Sequence, residues 1–317
     1  MKKVTILIPC YNEQESLPLL HKELCALIDA EPKYSWEVLF VNDGSKDNTI
    51  QVIKLLSAQD KHISYVNLSR NYGKETAMLA GFDHVQGDAC VIMDADLQHP
   101  PLVVHEMLQK WEEGYDDVYG KRISRGKESL LRKHLSLTFY KILQNATRVE
   151  VLPNVGDFRL LDRKCIDALC QMRESERYTK GLYCLIGFKK TYVEFETQER
   201  IAGTSSWSFW SLLGLAIEGL TSFTTAPLRI ATWVGGTTAL GAFLYALYFF
   251  IKSLVVNDPA QGFPTLVILI LFFGGLQLLA LGILGEYIGR IFKESKHRPN
   301  YFVQEYYKTT EYENDSL

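Results

Sequence analysis

The stretch VIMDADLQHP, residues 91–100, closes an apolar run with two aspartates one residue apart and then turns at a proline. A short uninterrupted apolar run is the pattern of a strand buried on both faces, and the abrupt change to carboxylates marks where such a strand leaves its sheet. Similar runs lie around it at VTILIPC (4–10), WEVLFVN (36–42), ISYVNL (63–68) and DDVYG (116–120). Amphipathic stretches at 14–29, 46–59, 74–86 and 101–113 separate them. Strands alternating with helical patterns predict an α/β domain on a mainly parallel sheet covered on both faces. Ligands of such sheets bind beyond the carboxyl ends of the strands, so the residues that follow each run are the candidates for function.

Each run ends in polar groups: Tyr11-Asn12-Glu13, Asn42-Asp43-Gly44-Ser45, Arg70-Asn71-Tyr72-Gly73-Lys74 and Asp94-Ala95-Asp96. Singly, Asn12, Ser45 and Asp47 suit helix caps as well as they suit a ligand; together, four polar ends on one rim favour a site. Neither GxGxxG nor GxxxxGK[ST] occurs, so a glycine cradle is not the means of holding phosphate. Asp94 and Asp96 can be aimed into one cleft by a strand end and turn. Hard oxygen donors suit Mg²⁺ or Mn²⁺, which bind through one or two carboxylates and complete their octahedra with waters and substrate phosphates. A solvated acidic turn ahead of Pro100 and Pro101 is the competing reading, and the neighbouring strand ends weigh against it.

The 317 residues, 47% hydrophobic, leave room for about two domains, and the net charge of −3 carries no nucleic-acid signature. Cys10, Cys25, Cys90, Cys165, Cys170 and Cys184 show no CxxC spacing and no adjacent histidine cluster, so neither a zinc site nor a disulfide framework is expected. The start, Met1-Lys2-Lys3 and seven largely apolar residues, is too short for a signal peptide and begins a strand instead.

Long uncharged sequence is concentrated at 228–250 and 265–288, each close to the about 20 apolar residues that span a bilayer core. Two crossings make a hairpin. Arg229, Arg290, Lys293, Lys296 and Arg298 flank its outer ends, against Lys252 and Asp258 in the connecting loop. The positive-inside rule then puts both ends, and the α/β domain with them, in the cytoplasm. Between domain and hairpin, Trp207, Trp210, Leu213, Ile217 and Leu220 recur at helical spacing, as in an interfacial amphipathic helix or a helix packed on the domain. The expected organisation is 1–204 catalytic domain, 205–225 amphipathic helix, 226–290 membrane hairpin and 291–317 polar tail.

The segments PCYNE (9–13), NDGSKDNT (42–49), RNYGKE (70–75), DADLQHPP (94–101) and GDFRLLDR (156–163) resemble those of the GT-A-fold inverting glycosyltransferases. With the two apolar C-terminal segments, the chain resembles the polyprenyl-phosphate glycosyltransferases. The resemblance implies a GT-A nucleotide-sugar-binding domain with a mainly parallel sheet, followed by an interfacial helix and a two-helix transmembrane hairpin in the plasma or inner membrane. It implies a nucleotide-sugar donor, with UDP-glucose ahead of UDP-GlcNAc, UDP-galactose and a GDP-sugar, and a polyprenyl phosphate acceptor, undecaprenyl phosphate in a bacterium. Pro9, Tyr11, Glu13, Asn42, Asp43 and Lys74 would contact the nucleotide sugar; Asp94, Asp96 and Gln98 would hold Mg²⁺ or Mn²⁺. Arg122, Arg132, Ser136 and Arg200 would bind the acceptor phosphate, and Asp157 stands where related enzymes place a base or orient the acceptor or Arg159. Many relatives carry two aspartates where this chain has Asn42-Asp43, which gives Asn42 a structural or nucleotide-tuning role. A processive polysaccharide synthase would require a QxxRW motif, absent here, and a scaffold or transporter would leave the acidic strand ends unexplained. Gly235-Gly236 and Gly274-Gly275 permit close helix contact and a homo-oligomer.

Overall fold

The computed structural model describes residues 1–123, 155–175, 177–196, 225–255 and 262–309. Arg132, Ser136, Arg200 and the amphipathic stretch at 205–223 lie outside the described residues. The chain divides into two compact units.

The first unit begins with β1 (Lys2–Cys10), α1 (Leu17–Ala30), β2 (Tyr34–Asn42), α2 (Thr49–Gln59) and β3 (Ile63–Leu68). It continues through α3 (Lys74–His84), β4 (Ala89–Ile92), α4 (Val103–Glu112), β5 (Asp117–Arg122) and β6 (Val155–Asp162). Then come α5 (Arg163–Gln171), α6 (Thr179–Leu185) and β7 (Lys190–Phe195). The strands form one sheet in the order β7-β5-β6-β4-β1-β2-β3-β8, β8 (Val303–Tyr307) being the last element of the chain described. β1 runs parallel to β2 in unbroken register from Lys2↔Tyr34 to Cys10↔Asn42, and parallel to β4 on its other side. The consecutive side chains of Ile6, Leu7 and Ile8 are all fully buried, the physical reason that β1 reads as a continuous apolar run instead of an alternating one.

The sequence expectation of β5 following β4 in the parallel sheet needs correction. β6 inserts between them, antiparallel to both, from Ala89↔Asp162 to Ile92↔Arg159 on one side and Asp117↔Leu161 to Tyr119↔Arg159 on the other. The β5–β6 register slips between Tyr119 and Lys121, and the slip falls on Gly156–Phe158, the stretch that carries Asp157. The expected polar tail also holds structure: β8 adds antiparallel to β3, pairing Val66 with Tyr306. Tyr307 stacks on Tyr65 at 5.5 Å, Glu305 pairs with Lys54 at 2.6 Å, and the Tyr301 hydroxyl donates to Asp83 at 2.6 Å.

The polar residues after β1 and β2 knit two loops together. Ser45 accepts from the Asn12 amide at 3.0 Å, Asn12 accepts in turn from the Lys46 amide at 2.8 Å, and Thr49 accepts from the Glu13 amide at 2.8 Å. Gly44 brings this pair against the loop after β3. Its φ is +61°, and a Cβ there would lie 2.2 Å from the carbonyl carbon of Arg70 and 2.5 Å from the Asn71 nitrogen.

The second unit holds α7 (Ala226–Val255, 30 residues) and α8 (Phe263–Ser295, 33 residues), which pack on one another. At about 1.5 Å per residue each exceeds the about 30 Å of a bilayer core. Large apolar side chains point outward, among them Trp233, Phe243, Leu278 and Leu281. Among the described residues one segment, Phe272–Ser295, with mean hydropathy 1.4, is long and apolar enough to cross a membrane.

Gly44→Ala is expected to cost at least about 2 kcal/mol, because the left-handed φ and the backbone clash act together. Thermal unfolding of the purified variant should show a Tm several degrees lower; an unchanged Tm would mean the two loops have room to part.

Candidate active site

Where β1, β2 and β4 end, a cleft of about 320 Å³ opens, lined by Pro9, Tyr11, Glu13, Asp43, Lys74, Asp94 and Asp96 and by Cys10, Asn71, Gly73, Ala77 and Ala95. Seven residues singled out in the sequence therefore meet in one place. The lining has four carboxylates and one ammonium, and the cleft is acidic as a consequence. Burial raises the Glu13 carboxyl above its ordinary range; the Ser16 hydroxyl, 2.6 Å away, opposes this, and Asp96 and Asp94 add to it. The Cys10 thiol beneath is pushed well up by burial, with Glu13 and Asp94 reinforcing.

Asp43 decides where α3 begins. Its carboxylate accepts from the Tyr72 amide at 2.7 Å and from the Gly73 amide at 2.9 Å, and Gly73, at φ +92°, turns the chain into the helix. Burial raises the Asp43 carboxyl, only partly offset by those two amides. Lys74 is the first helical residue, and its ammonium lies 2.6 Å from Asp94 and 3.0 Å from Asp157. Burial works against that ammonium, but the two carboxylates outweigh it and hold it above the usual lysine range. Asp157, 7% exposed, is held below the usual carboxylate range, because Lys74, Lys180 and Arg159 more than compensate its burial. Its second oxygen, Oδ1, is buried and has no hydrogen-bond partner among the described residues.

The structure revises three assignments. Asn42, 2% exposed, is absent from the cleft lining: its amide donates to Asn67 at 2.7 Å and accepts from Ser45 at 2.5 Å, so the side chain is spent beneath the site. Asp157 turns to Lys74 and not to Arg159, whose guanidinium is buried on Asp117 at 3.0 Å and lies 3.6 Å over the Tyr183 ring. Gln98 is one of the residues after Asp96 and does not line the cleft; its backbone N–H donates to Asp96 at 3.2 Å. Arg122 ends β5, beside Phe195 of β7.

Sequence reasoning missed His99. Although it stands inside the DADLQHP stretch, its role depends on partners far along the chain. The ring stacks on Phe158 at 4.7 Å and 7°, is 1% exposed, and accepts at Nδ1 from the Asp94 amide at 3.3 Å. Burial lowers the imidazole pKa, with Asp94 opposing and Arg122 assisting, so the ring is neutral with its proton on Nε2. Gly120 leaves room for this stack: a Cβ there would come within 2.8 Å of both Phe158 and Phe195.

The lowered Asp157 pKa fixes a stability signature. A carboxylate depressed in the folded state contributes stability that is present above its unfolded pKa and lost as pH falls through the folded value. Lys74→Met removes the largest of the causes that oppose burial, and burial then acts more strongly against the charge. The Tm deficit of the variant should be widest near about pH 7 and close on acidification through about pH 4. A deficit that stays constant with pH would show that Lys74 acts through packing alone.

The sequence model of "Glycosyl transferase family 2" matches residues 5–170, and that of the "GtrB C-terminal hairpin" matches residues 226–291. The Bacillus subtilis (strain 168) protein CsbB is 44% identical over 302 residues, 95% of this chain and 91% of its own. The bactoprenol glucosyl transferase of Shigella phage SfV is 40% identical over 302 residues, covering 95% of this chain and 98% of its own. The prophage bactoprenol glucosyl transferase homolog of Escherichia coli (strain K12) is 38% identical, with 95% and 98% covered. The match runs through all the strand ends that build the acidic cleft and on into the helical pair, and the chain belongs to glycosyl transferase family 2.

Proposed function

We propose that the chain moves a sugar from a nucleotide diphosphate, UDP-glucose in the first place, to a polyprenyl phosphate at a membrane, with inversion at the anomeric carbon. The observation that carries the reading is the charge of the cleft: four carboxylates against Lys74 at the carboxyl edge of a mainly parallel sheet. A diphosphate would be repelled from such a cleft unless a divalent cation came with it. The donor set fits that ion, since Asp94 and Asp96 offer hard oxygens at the cleft wall. Mg²⁺ or Mn²⁺ bound there would neutralise charge on the leaving diphosphate. Pro9, Tyr11, Glu13 and Asp43 supply the nucleoside wall.

Two relatives are named for glucosyl transfer to bactoprenol, which supports glucose and an undecaprenyl-type lipid. The outward apolar side chains of α7 and α8 support a membrane hairpin, as does the absence of any charged residue from 230 to 251. The flanking basic residues support a cytoplasmic catalytic domain in a plasma or inner membrane. For the acceptor phosphate, Arg122, Arg132, Ser136 and Arg200 are the proposed contacts, arginine being suited to bidentate grip of an anion.

The acceptor scarcely needs a general base. A phosphate monoester has its second pKa near about 6 and is already anionic at neutral pH. Asp157, held ionised below the usual range, would be a weak base. Its role is to hold Lys74 against Asp94 and keep the metal-facing carboxylate in place. Catalysis is then alignment plus neutralisation of the leaving group.

Membranes containing the protein, given labelled UDP-glucose and undecaprenyl phosphate, should form a β-linked lipid-phosphate glucose. EDTA or Asp96→Asn should lower the rate at least about a hundredfold, with excess Mg²⁺ or Mn²⁺ restoring the chelated wild type. Full turnover in chelator would remove the metal, and a labelled product extractable only into water would remove the lipid acceptor.

A further inference from the structure

Away from the cleft, the fold brings together four side chains that the sequence keeps apart. His21 and Cys25 stand one turn apart on α1 and so share a face. Asp60 caps the C-terminus of α2, and His62 directly precedes β3. His21 Nε2 lies 2.9 Å from Asp60 Oδ2 and 3.4 Å from Cys25 Sγ, and Cys25 Sγ lies 3.9 Å from the same Asp60 oxygen. All of them are partly exposed, so an ion can reach them.

We propose that His21, Cys25 and Asp60 bind one borderline-soft divalent cation, Zn²⁺ in the first place, with water as the fourth ligand. Tetrahedral zinc, with bonds of about 2.0–2.3 Å, sets its ligand atoms roughly 3.3–3.6 Å apart. The observed triangle brackets that range, and closing on an ion requires only that the His21–Asp60 hydrogen bond open and the Cys25–Asp60 gap shorten by a few tenths of an ångström. Asp60 is already held in place to ligate, because its other oxygen accepts from the His62 amide at 2.9 Å and meets His62 Nδ1 at 2.7 Å. A ligating carboxylate steadied by an imidazole is the arrangement that tunes metal sites. Sulfur and imidazole donors select against Mg²⁺ and Ca²⁺. Charge also balances, since the dication meets one thiolate, one carboxylate and one neutral imidazole. Binding replaces the Cys25 S–H bond with an S–Zn bond and releases the proton to solvent.

The same surroundings disfavour a redox or nucleophilic thiol. Burial raises the Cys25 pKa, and Asp60 and Asp29 raise it further, so without a cation the sulfur stays protonated. The sequence expectation that no zinc site would form rested on spacing, and it overlooked His21 four residues before Cys25 and a partner 35 residues beyond it.

The test uses full-length protein in detergent, stripped of metal and titrated with Co²⁺ and then with Zn²⁺ against a chromogenic chelator. One equivalent should bind with a thiolate-to-cobalt charge-transfer band that Zn²⁺ abolishes, apart from any Co²⁺ held without that band by the carboxylates of the cleft. Cys25→Ser should lose the band, and His21→Gln should weaken Zn²⁺ binding at least about tenfold. His62→Ala, which touches no ligand atom of the ion, should weaken it by roughly tenfold to a hundredfold. Asp96→Asn should keep the band, which separates this site from the cleft and makes the result independent of the transferase reading. Sugar transfer supported by Mg²⁺ should be unchanged in Cys25→Ser. A wild type without the band, or a band that survives Cys25→Ser, overturns the proposal.

Discussion

The start of α3 is the constraint on which the site depends. Asp43 takes the amides of Tyr72 and Gly73, Gly44 lets the loop after β3 come within contact of the loop after β2, and Lys74 is thereby delivered between Asp94 and Asp157. Those two carboxylates come from β4's end and from the slipped stretch of β6, strands that run in opposite directions. Without the shared ammonium, a nearly buried Asp157 would lose the largest of its compensating charges beside a cleft that already holds four other carboxylates. A charge pair that costs desolvation to bury can still be retained because it fixes geometry, and here it fixes the position of Asp94 at the wall of the cleft.

A second chain of contacts reaches the same aspartate from the other side. Gly120 admits Phe158 and Phe195, Phe158 stacks on His99, and His99 receives the Asp94 amide. Asp94 is thus held at its side chain by Lys74 and at its backbone by an imidazole that burial keeps neutral. The placement of Asp94 is distributed over β4, β5, β6 and α3, with no glycine-rich phosphate loop.

Legibility in the sequence followed locality. The apolar runs marked β1 to β5, because burial on both faces leaves a signal within each strand, and the polar residues after them marked the cleft. What pairs at long range left no such mark. β6, VGDFRLLD, is interrupted by Asp157 and Arg159 and so lacks the apolar run of the others, and nothing local shows that it enters antiparallel between β4 and β5. Asn42 stood among candidate ligands or as a structural residue, and its partners, Asn67 and Ser45, which make it structural, are set by the parallel register of β2 and β3 and by the loop that follows β2. β8 was hidden for a different reason: an exposed edge strand such as VQEYY carries too few buried positions for a periodic pattern. The roles of His99 and Phe158 needed contacts across about sixty residues, and no spacing rule reaches that far.

β8 also settles a matter of counting. Its hydrogen bonds to β3 place residues after α8 in the same folded unit as those before α7. A folded unit cannot lie on both sides of a bilayer at once. Whatever the intervening segment does in a membrane, it must therefore return to the side from which it left, and the number of complete passages is even. That parity comes from strand pairing alone and owes nothing to hydropathy or to the distribution of positive charge.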